Sequence, residues 1–230
     1  MSTPPIPDVQ ACVFDAYGTL FDVGSAAERA QGLLGERWRP LAETWRARQL
    51  QYTWLRSLAR RHADFWQVTG DALDFALASL GIADPALRDE LMTLYLSLRA
   101  YPDVEPALSR LRAAGLRLAV LSNGSPRMLA SAVEHAGIAH LLDAVLSVEE
   151  VGVYKPDPRV YQLAVDRLSL PAGRMCFVSS NGWDAFSAKA FGYRALWCNR
   201  LGQPPERIPA LPDAEASSLA ALPGLLGLAG

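Results

Sequence analysis

Between Arg117 and Asn199, four short apolar runs alternate with segments of helical periodicity, and a fifth run of the same kind stands alone near the amino terminus. No other feature restricts the fold as tightly. The runs Ala11–Phe14, Arg117–Leu121, Ala144–Val148, Met175–Ser179 and Ala195–Asn199 read as strands buried on both faces. Ser125-Pro126 opens a helical pattern through Leu129, Val133 and Ala136 that stops at Gly137. Asp157-Pro158 opens another through Val160, Leu163, Ala164 and Leu168. Each start couples a capping residue with proline at the first helical position. Strands alternating with helices of this length define the α/β class, a doubly wound, Rossmann-like parallel sheet.

The stretch from Val23 to Ala100 breaks that rhythm. Thr44–Arg61 carries Trp45, Tyr52, Leu55 and Ala59 at helical spacing, and Asp71–Leu80 carries Leu73, Leu77 and Leu80. Asp84-Pro85 then opens Leu87, Leu91, Leu94, Tyr95 and Leu98. The expected organisation is a core of residues 1–22 and 101–230 with an all-helical cap subdomain, residues 23–100, inserted after the first strand. A chain of 230 residues suits one domain plus an insertion.

Charge excludes some functions. With 22 basic against 24 acidic residues, a net of −2, there is no electrostatic footprint for nucleic acid or an anionic membrane. Cys12, Cys176 and Cys198 lie in apolar runs without CxxC spacing and read as small buried hydrophobes. Met1–Gln10 has neither the basic start nor the apolar core of a signal peptide, so a cytoplasmic protein is expected. The uncharged tail Ala216–Gly230 is shorter than the ~20 residues that span a bilayer and is broken by Pro223.

Ligands of open parallel sheets bind beyond the carboxyl ends of the strands. Those ends carry Asp15 and Thr19, then Ser122 and Asn123, then Lys155, then Ser179, Asn181 and Asp184. Asp15 at a strand tip is a candidate nucleophile or an Asx turn. Thr19 bonds that carboxylate or caps the loop. Lys155 is the cation that two carboxylates need, and it is expected to lower the pKa of both. Asp184 reads equally as the cap of the next helix. Ser-Asn-Gly at 122–124 and 180–182 reads as two similar turns.

In order and context, Asp15/Thr19 as D-x-x-x-T, Ser122, Lys155 and Asp184 resemble the haloacid dehalogenase superfamily. Two positions select among its branches. The phosphatases of that superfamily carry a second Asp two residues after the nucleophile, where this chain has Tyr17. Their fourth motif supplies acids for Mg²⁺, where this chain has Ser179, Ser180 and Asn181. The blocks DAYGTLFDV, LSNGSP, VYKPDPRVY and FVSSNGWDA, with the cap segment TWRARQLQYTWLRSL, resemble the (S)-2-haloacid dehalogenases from about Val13 to Arg200.

The resemblance implies that Asp15 displaces halide from C2 of a small 2-haloacid through an aspartyl ester, with no metal and no cofactor. It assigns Arg46 and Asn123 to the halide. Ser122 and the backbone N–H groups of Ala16, Tyr17 and Asn123 would meet the substrate carboxylate. Tyr17, Leu50, Phe65 and Trp183 would form the apolar wall. Asp184, paired with Lys155, would activate water, Ser179 and Asn181 would fix that water and the Asp15 carbonyl, and Tyr161 would support Asp184.

Two departures stand out. Ala47 replaces the Gln that often follows the cap arginine, removing a polar wall, and Gly182 replaces Ala, loosening a turn. A homodimer is implied as well, for which the apolar stretch Leu87–Leu98 is a compatible surface. The alternatives are a Mg²⁺-dependent phosphatase acting on a small phosphate ester and a non-catalytic binder of a small anion.

Overall fold

The computed structural model describes residues 6–228; Met1–Pro5 of the proline-rich start and the last two residues of the uncharged tail lie outside the described residues. Six strands form one parallel sheet: β1 (Ala11–Phe14), β2 (Arg117–Ser122), β3 (Ala144–Ser147), β4 (Met175–Ser179), β5 (Arg194–Cys198) and β6 (Ala214–Ala216). Their order is β3-β2-β1-β4-β5-β6. Phe14, the last residue of β1, pairs in register with Val120 on one side and Val178 on the other. Every residue of β1 and β4 is buried, which is why these segments are uninterrupted apolar runs rather than alternating ones. The three-residue edge strand β6 was not among the expected strands. Its sequence, Ala-Glu-Ala, is too short and too polar to register as an apolar run.

Helices α1 (Ser25–Arg29), α2 (Gln31–Leu34), α3 (Trp38–Leu58), α4 (Phe65–Ser79) and α5 (Pro85–Tyr95) form the inserted cap. Helix α6 (Val104–Ala113) returns the chain to β2, α7 (Pro126–His135) joins β2 to β3, and α8 (Pro158–Leu168) crosses to β4. Then α9 (Gly182–Phe191) joins β4 to β5, and α10 (Leu222–Leu225) follows β6. The cap leaves and rejoins the core through adjacent segments. Asp22 N–H donates to the Arg99 carbonyl at 2.8 Å, and Tyr101 N–H donates to the Leu20 carbonyl at 3.0 Å.

Several boundaries differ from expectation for identifiable reasons. Helix α3 begins at Trp38, not Thr44, and α4 begins at Phe65, not Asp71. The early start of α4 is set by Asp64, whose carboxylate accepts the Gln67 N–H at 3.0 Å. Helix α6 escapes a pattern reading because Pro106 looks like a breaker, yet in a first turn its missing N–H costs no helical hydrogen bond. Asp157 caps α8 by accepting from Arg159 N–H, but the Ser125 side chain makes no capping bond at the start of α7.

Leu87, Leu91, Tyr95 and Leu98 are all buried within the chain. These four side chains pack inside the cap, while Leu94 and Leu96 of the same stretch stay half-buried. All three cysteines are buried and free, and burial pushes their thiols upward in pKa. Among the described residues no helix is long and apolar enough to cross a membrane.

Asp84 closes the first turn of α5 by accepting the Leu87 N–H at 3.1 Å. Asp84→Ala should cost about 1 kcal/mol of stability, read as a lowered midpoint in urea at an unchanged slope.

Candidate active site

The chain runs outward from β1 to β3 and then crosses to β4 on the other side of β1. The carboxyl ends of β1 and β4 therefore flank the point where strand order reverses, the usual crevice of such sheets. Asp15 sits there, its N–H donating to the Val178 carbonyl at 2.9 Å. Its carboxylate is gripped from two sides. Oδ2 accepts from Asn181 Nδ2 at 2.8 Å, Thr19 Oγ1 at 3.0 Å and Ser179 Oγ at 3.4 Å. Oδ1 accepts from the Lys155 ammonium at 3.1 Å.

Lys155 is 1% exposed and donates also to Asp184 Oδ2 at 2.8 Å. Burial by itself lowers its pKa, but the charges of Asp15 and Asp184 outweigh burial and hold it above the usual lysine value. Against the expected lowering, Asp184 is shifted the other way overall. Complete burial pushes its carboxyl up to about 6, against the lowering pull of Lys155, with the nearby Asp15 charge adding to the rise. Lys155 does pull Asp184 down, as expected, but the net shift is upward because desolvation of a fully buried carboxylate exceeds what one shared ammonium returns. Asp184 is also not the helix cap. Asn181 holds that position, and Asp184 lies in the first turn of α9. There Tyr161 donates its hydroxyl to Asp184 Oδ1 at 2.7 Å.

The two Ser-Asn-Gly turns lie on either side of this cluster. In the first, Ser122 Oγ accepts from Gly124 N–H at 3.1 Å, and Asn123 Oδ1 accepts from Lys155 N–H at 3.1 Å. A Cβ on Gly124 would lie 2.7 Å from the Tyr17 ring, so glycine is what lets that ring close over the turn. In the second, Asn181 N–H donates to Ser179 Oγ at 3.1 Å. Gly182 has ordinary helical backbone, and its lack of Cβ admits Glu206, whose Cγ would lie 2.8 Å from one. Its absent side chain makes room for a neighbour rather than loosening a turn.

Above the cluster, a cavity of about 10 Å³ is bounded below by Asp15, Ser122, Asn123 and Asn181. Tyr17, Arg46, Leu50, Phe65 and Trp183 close it from the sides and from the cap. Such a volume holds about one water. Admission of anything larger requires the cap or its side chains to move. Among the described residues, the backbone N–H groups of Ala16, Tyr17 and Asn123 donate to no protein acceptor, leaving three donors for an anion.

Tyr17 stacks on Tyr95 at 5.6 Å between ring centroids and tilts against Phe65 at 5.5 Å. Burial pushes its phenol well above the usual range, so it stays protonated. Of the arginines on α3, only Arg46 reaches the cavity. Its Nη2 donates to the Tyr17 carbonyl and to Asn181 Oδ1, each at 3.2 Å. Arg48 stacks on Phe75 and Arg56 pairs with Asp71. Ala47 is exposed on the far face of α3 and lines no part of the cavity, so its replacement of Gln alters no pocket wall. The surrounding polar residues Gln49, Thr69 and Tyr95 were not expected. The one-turn spacing of Gln49 from Arg46 was their sole trace in the sequence.

Residues 9–192 match the family described as haloacid dehalogenase-like hydrolase. The chain is 47% identical over 219 residues to (S)-2-haloacid dehalogenase 1 of Pseudomonas sp. (strain CBS-3), covering 95% of this chain and 96% of that protein. It is 46% identical over 202 residues to (S)-2-haloacid dehalogenase 4A of Burkholderia cepacia, covering 87% of each. The L-2-haloacid dehalogenase of Xanthobacter autotrophicus, solved with chloropropionic acid covalently bound, superimposes with a TM-score of 0.88 at 37% identity, covering 94% of this chain and 98% of that one. The chain belongs to the haloacid dehalogenase-like hydrolases and, within them, to the (S)-2-haloacid dehalogenases.

Replacing Lys155 with Met would leave two carboxylates buried without a counter-charge. Lys155→Met should destabilise the protein by about 3–5 kcal/mol near neutral pH, measured by denaturant unfolding, with a smaller loss once acid protonates Asp184.

Proposed function

We propose that this protein hydrolyses short (S)-2-haloacids to (R)-2-hydroxyacids and halide through an aspartyl ester on Asp15, without a metal. The observation that carries the reading is the Asp15–Lys155–Asp184 cluster under a cavity whose wall, two residues after the nucleophile, is Tyr17. A phosphatase needs an acid in that place to protonate its leaving alkoxide. A halide leaves without a proton, and an aromatic wall suits it.

The substrate carboxylate binds the Ser122 hydroxyl and the free N–H groups of Ala16, Tyr17 and Asn123. A carboxylate oxygen of Asp15 attacks C2 from behind the carbon–halogen bond. The new C–O bond forms as the halide departs with the bonding pair, inverting C2. Arg46 and Asn123 receive the halide, a large, weakly hydrated anion suited to a guanidinium. Tyr17, Leu50, Phe65 and Trp183 keep bulk water from the reacting carbon.

Water then attacks the Asp15 carbonyl carbon and the ester opens, restoring the carboxylate without touching C2 again. Asp184, held by Tyr161 and Lys155, takes the proton from that water and returns it to the C2 oxygen as the ester opens, and the Asp15 carboxyl group so formed releases its proton to solvent. Ser179 and Asn181 orient the water and the ester carbonyl. A base with a pKa of about 6 is poised for this task near neutrality, and such assistance is worth about 10²–10⁴ in rate. In place of a divalent cation, Lys155 supplies the positive charge. Both carboxylates that could bind Mg²⁺ are already engaged by its ammonium.

The deciding experiment follows halide release from (S)-2-chloropropionate in EDTA. The wild type should yield chloride and (R)-lactate, and Asp15→Asn should yield neither. Phosphate release from a phosphate ester on addition of Mg²⁺, with no halide under any condition, would establish the phosphatase reading instead. The pH dependence follows from Asp184. Its pKa is about 6 in the free enzyme and falls when esterification removes the Asp15 charge; below that value it is protonated and cannot accept a proton from water, so ester hydrolysis slows while displacement continues. Mass spectrometry of enzyme turning over at pH 5 and then quenched should show Asp15 esterified by a 1-carboxyethyl group, and little of it at pH 8.

A further inference from the structure

The guanidinium of Arg46 enters the cavity without a carboxylate partner among the described residues. Its three protein acceptors are the Tyr17 carbonyl, the Asn181 side-chain oxygen and Gln49 Oε1, all neutral. This separates it from Arg56, Arg88, Arg99 and Arg200, each of which faces an Asp or Glu. Of the five N–H groups of a guanidinium, those three bonds leave one on Nη1 and the one on Nε uncommitted to these groups.

Gln49 lies one turn along α3 from Arg46, is 1% exposed and does not itself line the cavity. Its Oε1 accepts from Arg46 Nη1 at 2.8 Å, and its Nε2 donates to Thr69 Oγ1 at 2.7 Å. The orientation of this amide follows from its neighbours. Thr69 gives its own proton to the Phe65 carbonyl at 2.6 Å, so towards Gln49 its hydroxyl can only accept. The NH₂ end must face Thr69 and the oxygen must face Arg46. The Tyr95 hydroxyl, 3.2 Å from Oε1, braces the same amide from α5, and Trp45 Nε1 ties α3 to the Thr69 carbonyl at 2.8 Å. Three cap helices thus converge on one side chain, which in turn aims one guanidinium.

We propose that Gln49 is a positioning residue for carbon–halogen cleavage: it fixes the direction of Arg46 and, being an amide rather than a carboxylate, leaves the arginine's charge uncompensated for the departing halide. A glutamate in this place could still accept from Arg46, with Thr69 turning its proton from the Phe65 carbonyl to the new carboxylate, yet it would neutralise the field that the leaving group meets in a dry site, where such fields act most strongly. The assignment rests on the dehalogenase reading above. It adds that halide affinity and leaving-group stabilisation are set one residue beyond the groups that touch the halide.

The test compares Gln49→Glu and Gln49→Met with the wild type in single-turnover halide release from (S)-2-chloro- and (S)-2-bromopropionate, together with inhibition by added bromide. Both variants should slow chloride release by about 10- to 10²-fold, the cost typical of a misplaced catalytic group. Bromide, the better leaving group, should be slowed less, and inhibition by added bromide should weaken. A purely structural role would slow both substrates equally. Thr69→Val, which removes the acceptor that orients the amide, serves if either Gln49 variant fails to fold and should give the same halogen dependence. Folded variants that match the wild type, or lose chloride and bromide release in equal proportion, overturn the proposal. A wild type that releases no halide at all would instead remove the dehalogenase reading itself.

Discussion

A single buried ammonium holds the site together. Lys155 bridges Asp15 and Asp184, residues drawn from β1 and α9, and it arrives from the loop after β3. Two carboxylates buried so close would otherwise repel each other in a medium that screens little. With the cation present, three distant segments of chain share one electrostatic minimum. The triplet still carries one net negative charge, and the Arg46 guanidinium from the cap bonds only neutral groups beside it. Core and cap are coupled by the bonds of Arg46 to the Tyr17 carbonyl and Asn181 as well as by packing.

That coupling explains the division of labour between the layers. The parallel sheet delivers the nucleophile, its hydrogen-bond donors and the Lys155–Asp184 pair to the reversal point of strand order, where backbone N–H groups are also free. The cap delivers what a sheet edge lacks: an aromatic and aliphatic ceiling and an uncompensated arginine. Tyr17 belongs to both. It follows β1, yet its ring packs on Tyr95 and Phe65 of the cap and its carbonyl accepts from Arg46. Closing the cap therefore completes the site rather than merely covering it.

Much of this was legible beforehand because it depends on local chemistry. Continuous apolar runs marked the central strands, and Asp-Pro marked the starts of α5 and α8. Short polar segments after each strand located the cluster, and the structure brings Asp15, Thr19, Lys155, Ser179, Asn181 and Asp184 into one hydrogen-bonded group. What escaped was non-local or atypical. The edge strand β6 borrows its structure from β5, and α6 hides behind a proline that its first turn tolerates. Ala47 stood out as a departure from the Gln of the resembled family beside Arg46; on a helix, adjacent residues face different ways, and Ala47 faces solvent.

The sequence by itself determined the fold class, the strand ends at which chemistry gathers and the family to which the chain belongs. These follow from residue type and spacing, which need only the backbone's periodicities to be read. Only the tertiary structure decided that Asp184 titrates near 6, that Arg46 has no carboxylate partner among the described residues and that Gln49 aims it. Burial and hydrogen-bond direction are properties of what surrounds a side chain in space. No ordering of residues along the chain states how far a carboxylate is from water, or which end of an amide meets a guanidinium.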